Sequence, residues 1–188
     1  MAYELSEFCA DAKDFLSRDG GADGREKVRQ KLEALLQNEA FVDEVCGPEA
    51  PMGITTLYHD PDLDFMVLAH VYPAGRTSPP HDHGASWAIY GQAIGWTDMT
   101  EYDRLDDGKE EGHADLEERR KYRLEPGHAG MFGPHQIHSI HFPDHARFVR
   151  VTGTDLTHIP TLRYDMAKRA VTRVNPNNIG DVAGSVSA

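Results

Sequence analysis

The hydrophobic residues change their period along the chain, from helical spacing near the N-terminus to strand-like spacing after residue 54. In Tyr3–Leu16 and again in Arg25–Val45, apolar residues recur every three or four positions, which indicates amphipathic helices. A stretch rich in Gly and Asp separates them, and Gly47-Pro48 is a typical end for the second. We therefore predict two N-terminal helices that cover one side of the domain.

After residue 54, short apolar stretches alternate with Gly, Pro and Asp turns, which is typical of a β-sandwich or barrel. One stretch, Leu63–Tyr72, is apolar on both faces, so we expect it at the centre of a sheet. It contains His70, which must find a polar partner there. The predicted strands are Ile54–Tyr58, Leu63–Tyr72, Thr77–His83, Ser86–Trp96, Met99–Tyr102, Leu116–Leu124, Gly130–Phe132, Gln136–Phe142 and Ala146–Thr152.

These elements predict one domain with an extension at each end. The helical extension covers residues 1–48 and packs on a barrel of residues 49–156. Residues 157–188 form a C-terminal arm or tail in which the hydrophobic period is weak. Within it, Leu162–Val174 fits a short helix or an arm, and the segment from Asn175 onward is predicted to be loose or partner-dependent.

Charge and composition exclude several classes of function. The chain has 188 residues and a formal net charge of −12, which argues against a nucleic-acid partner because phosphates require clustered Lys and Arg. No signal sequence and no membrane-spanning apolar run is recognised, so we expect a cytoplasmic protein without a membrane partner. A Cys9–Cys46 disulfide is conceivable, but a reducing cytosol favours free thiols. The expected oligomeric state is a monomer or a homodimer.

Histidines give the strongest chemical signal, and a pair of them stands one residue apart. On a strand, His81 and His83 would present both imidazoles on one face, about 7 Å apart along the chain. Neutral imidazole is the commonest nitrogen ligand of iron, zinc, copper and nickel. We therefore predict that His81 and His83 bind one metal ion.

A later strand offers three candidates for a third ligand. On a regular strand His138 shares its face with Ile140 and Phe142, whereas His135 and His141 face the other way. We favour His138 and keep His141 and His135 as alternatives.

The spacing of these histidines resembles the two sequence motifs of the cupins. Gly75, His81-Asp82-His83 and Gly95 resemble the first motif, and Pro126-Gly127 together with His138 resembles the second. The resemblance implies an all-β fold, the cupin double-stranded β-helix. This is a jelly-roll barrel with a metal in its mouth, here preceded by two N-terminal α-helices.

Over residues 50–156 the chain is also similar to cysteine dioxygenase and its bacterial relatives that oxidise mercaptopropionate. The similar stretches are Phe65–Ala69, Pro80–His83, Ile137–Ile140 and Val151–Leu156. This resemblance implies a non-haem Fe(II) dioxygenase. Its partners would be a small-molecule substrate and O2, and the reaction would oxidise a thiol to a sulfinate.

By the same resemblance, His81, His83 and His138 hold the iron. Most cupins add a Glu a few residues after the second histidine, but that position falls here at Trp87 or Ala88. Three neutral ligands leave Fe(II) with its full charge and with open positions for substrate and O2. Zinc and nickel are alternative metals.

The chain departs from the thiol dioxygenases at positions that bear on the substrate. Their Ser-His-Tyr set is replaced by Phe148, Arg150 and Thr152, which alternate and so share one face. The family's carboxylate-binding Arg falls near Thr55 or Thr56. We predict that Arg150 is catalytic and binds an anionic group of the substrate by a bidentate bond. The alternatives are an ion pair with the acidic loop and an outward orientation.

Four further residues complete the predicted site. Tyr72 is the candidate catalytic hydrogen-bond donor to oxygen, and Arg76 is a second candidate for binding an anion. Trp87 has the same parity as the paired histidines, so we expect it beside the metal. Tyr58 is a candidate for binding the substrate. The further aromatic candidates for the pocket are Tyr90, Trp96 and Tyr102. For each aromatic residue, packing in the core is the alternative role.

Two other functions remain open. A three-histidine cupin can instead cleave a carbon–carbon bond in a diketone or a phenolic ketone. The missing polar residues around the metal would also suit a metal-binding sensor without turnover.

Overall fold

The computed structural model describes residues 2–176, which form three helices followed by two antiparallel sheets and a hairpin. The helices are α1 (Leu5–Arg18), α2 (Ala22–Leu35) and α3 (Glu39–Cys46). The strands are β1 (Gly53–His59), β2 (Met66–Val71), β3 (Arg76–Thr77), β4 (Ala88–Ile94), β5 (Thr97–Arg104), β6 (Leu116–Leu124), β7 (Ala129–Phe132), β8 (Ile137–Phe142), β9 (Arg147–Thr152), β10 (Thr161–Asp165) and β11 (Ala170–Val174).

The predicted second helix is two helices, because Asn38 starts a new one. Its side-chain oxygen accepts hydrogen bonds from the backbone N–H groups of Ala40 and Phe41, at 3.1 and 3.3 Å. The first backbone N–H groups of a helix have no partner inside it, and an Asn just before the helix accepts hydrogen bonds from them. A new helix therefore begins after Asn38, and the chain changes direction there. The prediction of one continuous helix over Arg25–Val45 was therefore wrong. None of the three helices has the length and hydrophobicity that a membrane span requires.

The strand order confirms the predicted all-β double-stranded β-helix with N-terminal helices. One sheet has the order β1-β2-β9-β4-β7 and the other the order β3-β8-β5-β6, so strands distant in sequence lie side by side. All predicted strands except Thr77–His83 occur, with ends within three residues of the prediction. The proposed domain boundaries at residues 48 and 156 stay a prediction.

The five-stranded sheet packs its outer face against the helices. Val149 and Val151 of the central strand β9 point outward and are fully buried. They belong to a large apolar cluster that joins the sheet to all three helices. Strand residues on this face include Val67, Ala69, Ile89, Val149 and Val151, and helix residues include Phe8, Val28, Leu32 and Phe41.

The inner face of the same sheet meets the four-stranded sheet. Tyr90 and Phe148 from the first sheet pack against Met99 and Phe142 from the second. This smaller cluster fills part of the space between the sheets. The remainder is a cavity, which is described below.

Strands β10 and β11 form an antiparallel hairpin that extends the four-stranded sheet beyond His81. The backbone N–H of Asp82 donates to Leu162 O at 3.1 Å, and that of Tyr164 donates to Pro80 O at 2.9 Å. The helix considered for Leu162–Val174 was therefore wrong, because this segment pairs with its own second strand and with the segment around His81. The predicted loose tail lies, from residue 177 onward, outside the described residues.

Candidate metal centre

The segment that carries His81 and His83 is a loop beside the edge of strand β8. Only β3 (Arg76–Thr77) and two isolated bridges at His81, to His138 and Arg163, have strand pairing, so the predicted strand over Thr77–His83 was wrong. Pro79 and Pro80 lack backbone N–H groups and cannot continue a ladder. At His81 the pairing resumes: its N–H donates to the carbonyl oxygen of His138 at 2.8 Å, and its carbonyl oxygen accepts the N–H of His138 at 2.9 Å.

This backbone pairing brings three imidazoles together. His81, His83 and His138 each offer one ring nitrogen, and these nitrogens lie within 4.8 Å of one another. The ring centroids are 4.5 to 5.4 Å apart. We call this group the three-histidine cluster. The distances allow all three residues to bind a single metal ion.

The surroundings hold these histidines in the neutral form that binds metals. His83 and His138 are buried and His81 is partly buried. Burial lowers the pKa of His81, and it lowers the pKa of His83 and His138 well below 6.5. At neutral pH each ring therefore has a free lone pair for a metal ion.

His138 gives the clearest sign that a ligand belongs here. Its exposed fraction is 0%, and its ring stacks on Phe132 with centroids 3.9 Å apart. Neither ring nitrogen has a hydrogen-bond partner among residues 2–176. Burying an unpaired polar group is unfavourable, so most such groups in native proteins have a partner. A metal ion bound to one nitrogen would supply that partner, so the residues present fit a metal.

Neighbouring groups orient two of the rings. The Nδ1 of His81 lies 2.9 Å from the carbonyl oxygen of Pro79. A carbonyl only accepts, so Nδ1 carries the proton and Nε2 is left for a metal. The hydroxyl of Tyr90 lies 3.2 Å from Nε2 of His83, which places a phenol beside the cluster.

Asp82, between the paired histidines, stabilises the loop. It is 1% exposed, and its Oδ1 accepts the backbone N–H groups of Gly84 at 3.0 Å and Leu162 at 2.8 Å. One carboxylate oxygen thus joins the turn after His83 to the C-terminal hairpin. Gly84 has φ of 56°, a left-handed conformation that suits glycine.

A cavity of about 330 Å³ lies next to the three-histidine cluster. Its walls come from the inner faces of both sheets and from the hairpin. The lining residues include His70, Tyr72, Arg76, His81, His83, Tyr90, Ile140, Phe142, Phe148, Arg150 and Arg163.

Arg150 points into this cavity, as the resemblance implied. Phe148 and Arg150 line the cavity, while Val149 and Val151 pack under the helices. The Nε of Arg150 is buried without a hydrogen-bond partner in the described part of the chain. Its guanidinium lies 5.9 Å from the centre of the Tyr90 ring. The two alternatives, an ion pair with the acidic loop and an outward orientation, are not found.

The other predicted pocket residues divide into two pairs. Tyr72 and Arg76 line the cavity, whereas Tyr58 and Trp87 do not. The hydroxyl of Tyr58 donates to Asp60 at 2.9 Å, and its ring packs in the core beneath the helices.

Trp87 also belongs to the core beneath the helices, so its predicted place beside the metal was wrong. The parity argument required a continuous strand from His81 to Trp87. Instead the chain turns at Gly84 and strand β4 starts only at Ala88.

The two alternative third ligands lie outside the cluster. His141 is exposed on the opposite face of β8, and its Nδ1 lies 2.8 Å from the hydroxyl of Thr77. His135 is exposed with φ of 58° and lies 4.0 Å from Asp82. Of the three candidates, only His138 joins His81 and His83.

The sequence prediction gave no role in the site to His70 and Arg163, which both line the cavity. His70 is 2% exposed, stacks on Phe148 with centroids 4.7 Å apart, and lies 3.2 Å from the Tyr72 hydroxyl. Arg163 lies on the hairpin. A buried histidine on a central strand was a usable signal, but Arg163 depends on strand pairing that spacing does not reveal.

Of the further aromatic candidates, Tyr90 lines the cavity, and Trp96 and Tyr102 do not. Tyr90 pairs directly with Arg150 across the sheet.

No protein-family model matches the chain, and no curated protein matches its sequence. Among solved structures, the Schizosaccharomyces pombe Cnp3 cupin domain has a TM-score of 0.43 and 13% identity, covering 57% of this chain and 66% of that one. KdgF from Halomonas sp. has a TM-score of 0.39 and 19% identity, covering 53% and 74%. Hydroquinone 1,2-dioxygenase PnpCD, solved with Cd²⁺ and 4-hydroxybenzonitrile, has a TM-score of 0.42 and 13% identity, covering 59% of this chain and 69% of that one.

Two of the similar solved structures, the Cnp3 domain among them, are described as cupins. At these TM-scores the alignments carry no argument about function, and the fold assignment rests on the strand order. The resemblance to the cysteine dioxygenases stays a prediction.

Proposed function

We propose that this protein is a non-haem Fe(II) dioxygenase that acts on a small anionic substrate. One observation supports the proposal above all. Three neutral imidazoles, one of them buried with both nitrogens unpartnered, converge at the wall of a cavity into which an arginine points.

The donor set suits the proposed metal. Within the described residues, the cluster contains three histidines and no carboxylate. Imidazole nitrogens bind Fe(II), Zn²⁺ and Ni²⁺, so metal analysis is part of the test. Iron bound by His81, His83 and His138 would supply adjacent positions at which substrate and O2 meet.

The side chains of the cavity have separate tasks in this proposal. Arg150 binds the anionic group of the substrate and so fixes the distance of the reacting group from the cluster. Burial raises the pKa of Tyr72, which keeps its hydroxyl protonated as a donor. His70, 3.2 Å away, orients that hydroxyl. Phe142 and Phe148 exclude water from one wall.

Thiol oxidation is the leading reaction, supported by the resemblance over residues 50–156. In this reaction R–SH and O2 give R–SO2H. Both oxygen atoms enter the product and sulfur supplies all four electrons, so no other reductant is consumed.

A second candidate reaction is favoured by the aromatic wall of the cavity. Tyr72 stacks on Phe142 with centroids 5.7 Å apart, and Phe148 lies beside both rings. Such a wall would bind the flat carbon skeleton of a diketone or a phenolic ketone. Cleavage of a carbon–carbon bond by O2 is therefore the alternative.

The first experiment measures metal in protein purified without oxygen and loaded with Fe(II). We expect about one metal ion per chain in the wild type and very little in His138→Ala, because neutral imidazole is the ligand. The matched control is His141→Ala on the opposite face of the same strand, which should retain its metal. Full metal binding by His138→Ala would show that the site is wrong.

The second experiment measures O2 uptake by the iron-loaded protein with thiols and diketones that carry a carboxylate. Sulfinate detected by mass spectrometry would support thiol oxidation, and two carbonyl-containing fragments would support cleavage. We expect Arg150→Gln to raise KM more than it lowers kcat, with unchanged metal content. Bound iron without O2 uptake on any compound would contradict the enzyme and favour a metal-binding sensor.

A further inference from the structure

Three arginines from three separate strands line the cavity. Arg76 lies on β3, Arg150 on β9 and Arg163 on β10. None of the three forms an ion pair or donates a hydrogen bond within residues 2–176. The chain thus directs three guanidinium groups at one small space and leaves their charges without a protein partner.

Unpaired arginines are not confined to the cavity. The chain has a net charge of −12, so carboxylates are abundant, and several arginines pair with Asp or Glu, namely Arg18, Arg29, Arg104, Arg119, Arg123 and Arg169. Arg25, Arg120, Arg147 and Arg173 form no ion pair within residues 2–176. What distinguishes Arg76, Arg150 and Arg163 is that all three line one cavity.

The single carboxylate that lines the cavity, among described residues, is already in use. Asp82 is 1% exposed and accepts two backbone N–H groups through Oδ1. Its second oxygen lies 4.0 Å from Nδ1 of His135, and no arginine forms an ion pair with it among residues 2–176. The cavity therefore has an uncompensated positive charge, which attracts anions.

The three arginines occupy two positions. Arg150 comes from the five-stranded sheet, and its guanidinium lies 5.9 Å from the centre of the Tyr90 ring, whose hydroxyl lies 3.2 Å from Nε2 of His83. Arg76 and Arg163 come from the opposite wall, where β3 pairs with β8 and Arg163 pairs with His81. We call this wall the outer position, because Arg76 is exposed there. Two like charges held together are unfavourable unless an anion lies between them.

Hydroxyl groups accompany the outer pair. Ser78, Thr157 and Thr161 line the same cavity, and each can donate a hydrogen bond to a carboxylate. A volume of about 330 Å³ is at the small end of ligand pockets, which hold about 300–1,000 Å³. The ligand that fits is therefore short.

We propose that the substrate is a small molecule with two anionic groups, such as a dicarboxylate. Arg150 binds one group beside the three-histidine cluster, and Arg76 together with Arg163 binds the other at the outer part of the cavity. This inference deepens the proposed function and rests on it for the identification of the ligand as a substrate.

The test uses isothermal titration of the full-length, metal-free protein with two probes of nearly equal size. Succinate carries two carboxylates, and monomethyl succinate carries one. We expect succinate to bind at least about tenfold more tightly at low ionic strength, and this preference to shrink as salt is added.

Variants then assign the two positions. Arg76→Gln and Arg163→Gln should each weaken succinate binding by about tenfold and reduce the preference for succinate over monomethyl succinate, because each removes charge from the outer position. Arg150→Gln should weaken the binding of both probes. The matched control is Arg173→Gln, an exposed position on the same hairpin that does not line the cavity, and it should change neither.

Two results would overturn this inference: equal affinity for the two probes, or unchanged succinate binding in both outer variants. Absence of measurable succinate binding would do the same. The metal-free titration separates this failure from failure of the proposed function. If the protein consumes O2 but does not prefer succinate, the dioxygenase proposal stands and the dianion site is wrong. If it binds succinate selectively but consumes no O2, the dianion site stands and the dioxygenase proposal is wrong.

Discussion

The two faces of strand β9 have very different surroundings. Val149 and Val151 point outward and are fully buried in the apolar cluster beneath the helices. Phe148 and Arg150, one position away in sequence, line the cavity, where Nε of Arg150 and Nε2 of His70 are buried without a partner among residues 2–176. The outer face therefore stabilises the fold, while the inner face buries polar groups whose missing hydrogen bonds cost stability.

The largest effect should come from the outer face. Ile89→Ala removes a fully buried side chain beneath the helices and leaves a space that the sheet cannot close. We expect a loss of about 2–5 kcal/mol in the free energy of unfolding, measured by urea denaturation. The folded fraction should still bind metal, because the affected face does not touch the cluster. Loss of metal from well-folded Ile89→Ala would show that the two faces are not separate.

The next largest effect should come from the turn after His83. A Cβ at Gly84 would lie 2.3 Å from the carbonyl oxygen of Pro160, and the residue has φ of 56°. Gly84→Ala should therefore cost about 1–3 kcal/mol and weaken metal binding. The matched control is Gly112→Ala, which has φ of 75° but open space around the new methyl group. Equal metal affinity in both variants would contradict a special role for the turn.

A smaller effect concerns acid stability on the cavity side. Burial, and then the charge of Arg150, lower the pKa of His70 well below 6.5. Below about pH 6.5 the unfolded chain therefore takes up a proton that the folded chain does not, and stability falls as pH falls. His70 therefore contributes up to about 1.4 kcal/mol per pH unit to the slope of the free energy of unfolding against pH, and His70→Leu should remove this contribution. Urea denaturation of the metal-free protein at several pH values measures it.

The control for this measurement is His128→Gln, at an exposed position. It shows whether loss of any histidine changes the slope. An unchanged slope in His70→Leu would mean that other groups govern the acid dependence.

The smallest effect should come from Arg150. Because its Nε is buried without a partner, Arg150→Met removes an unsatisfied group and leaves an apolar chain of similar length. We expect the free energy of unfolding to stay within about 1 kcal/mol of wild type, or to rise. A loss as large as that of Ile89→Ala would show that Arg150 serves the fold rather than the ligand.

The sequence predicted those parts of the site that lie on regular strands. Alternation in β8 placed His138 with Ile140 and Phe142, and alternation in β9 placed Phe148 with Arg150. Both predictions depend only on a period of two, which holds as long as the ladder is unbroken.

Prediction failed where the ladder is broken. Trp87 is separated from His83 by a turn at Gly84, so its parity does not continue that of the histidines. Likewise, Asn38 interrupts a stretch whose apolar spacing is helical on both sides. In each case one residue with a local hydrogen bond or a special φ overrides the pattern around it.

Arg163 could not be assigned from the sequence for another reason. Its segment has few apolar residues, and its place in the cavity depends on backbone pairing with His81, more than eighty residues earlier. Such long-range pairing leaves no local periodicity.

That pairing also has a thermodynamic consequence. The backbone of Asp82 and its carboxylate both bond to Leu162, so the loop that carries His81 and His83 and the hairpin that carries Arg163 form one ladder. If the proposed anion orders the hairpin, it would therefore also order these two proposed metal ligands. Linkage requires the reverse as well: if one ligand tightens binding of the other, both affinities rise by the same factor.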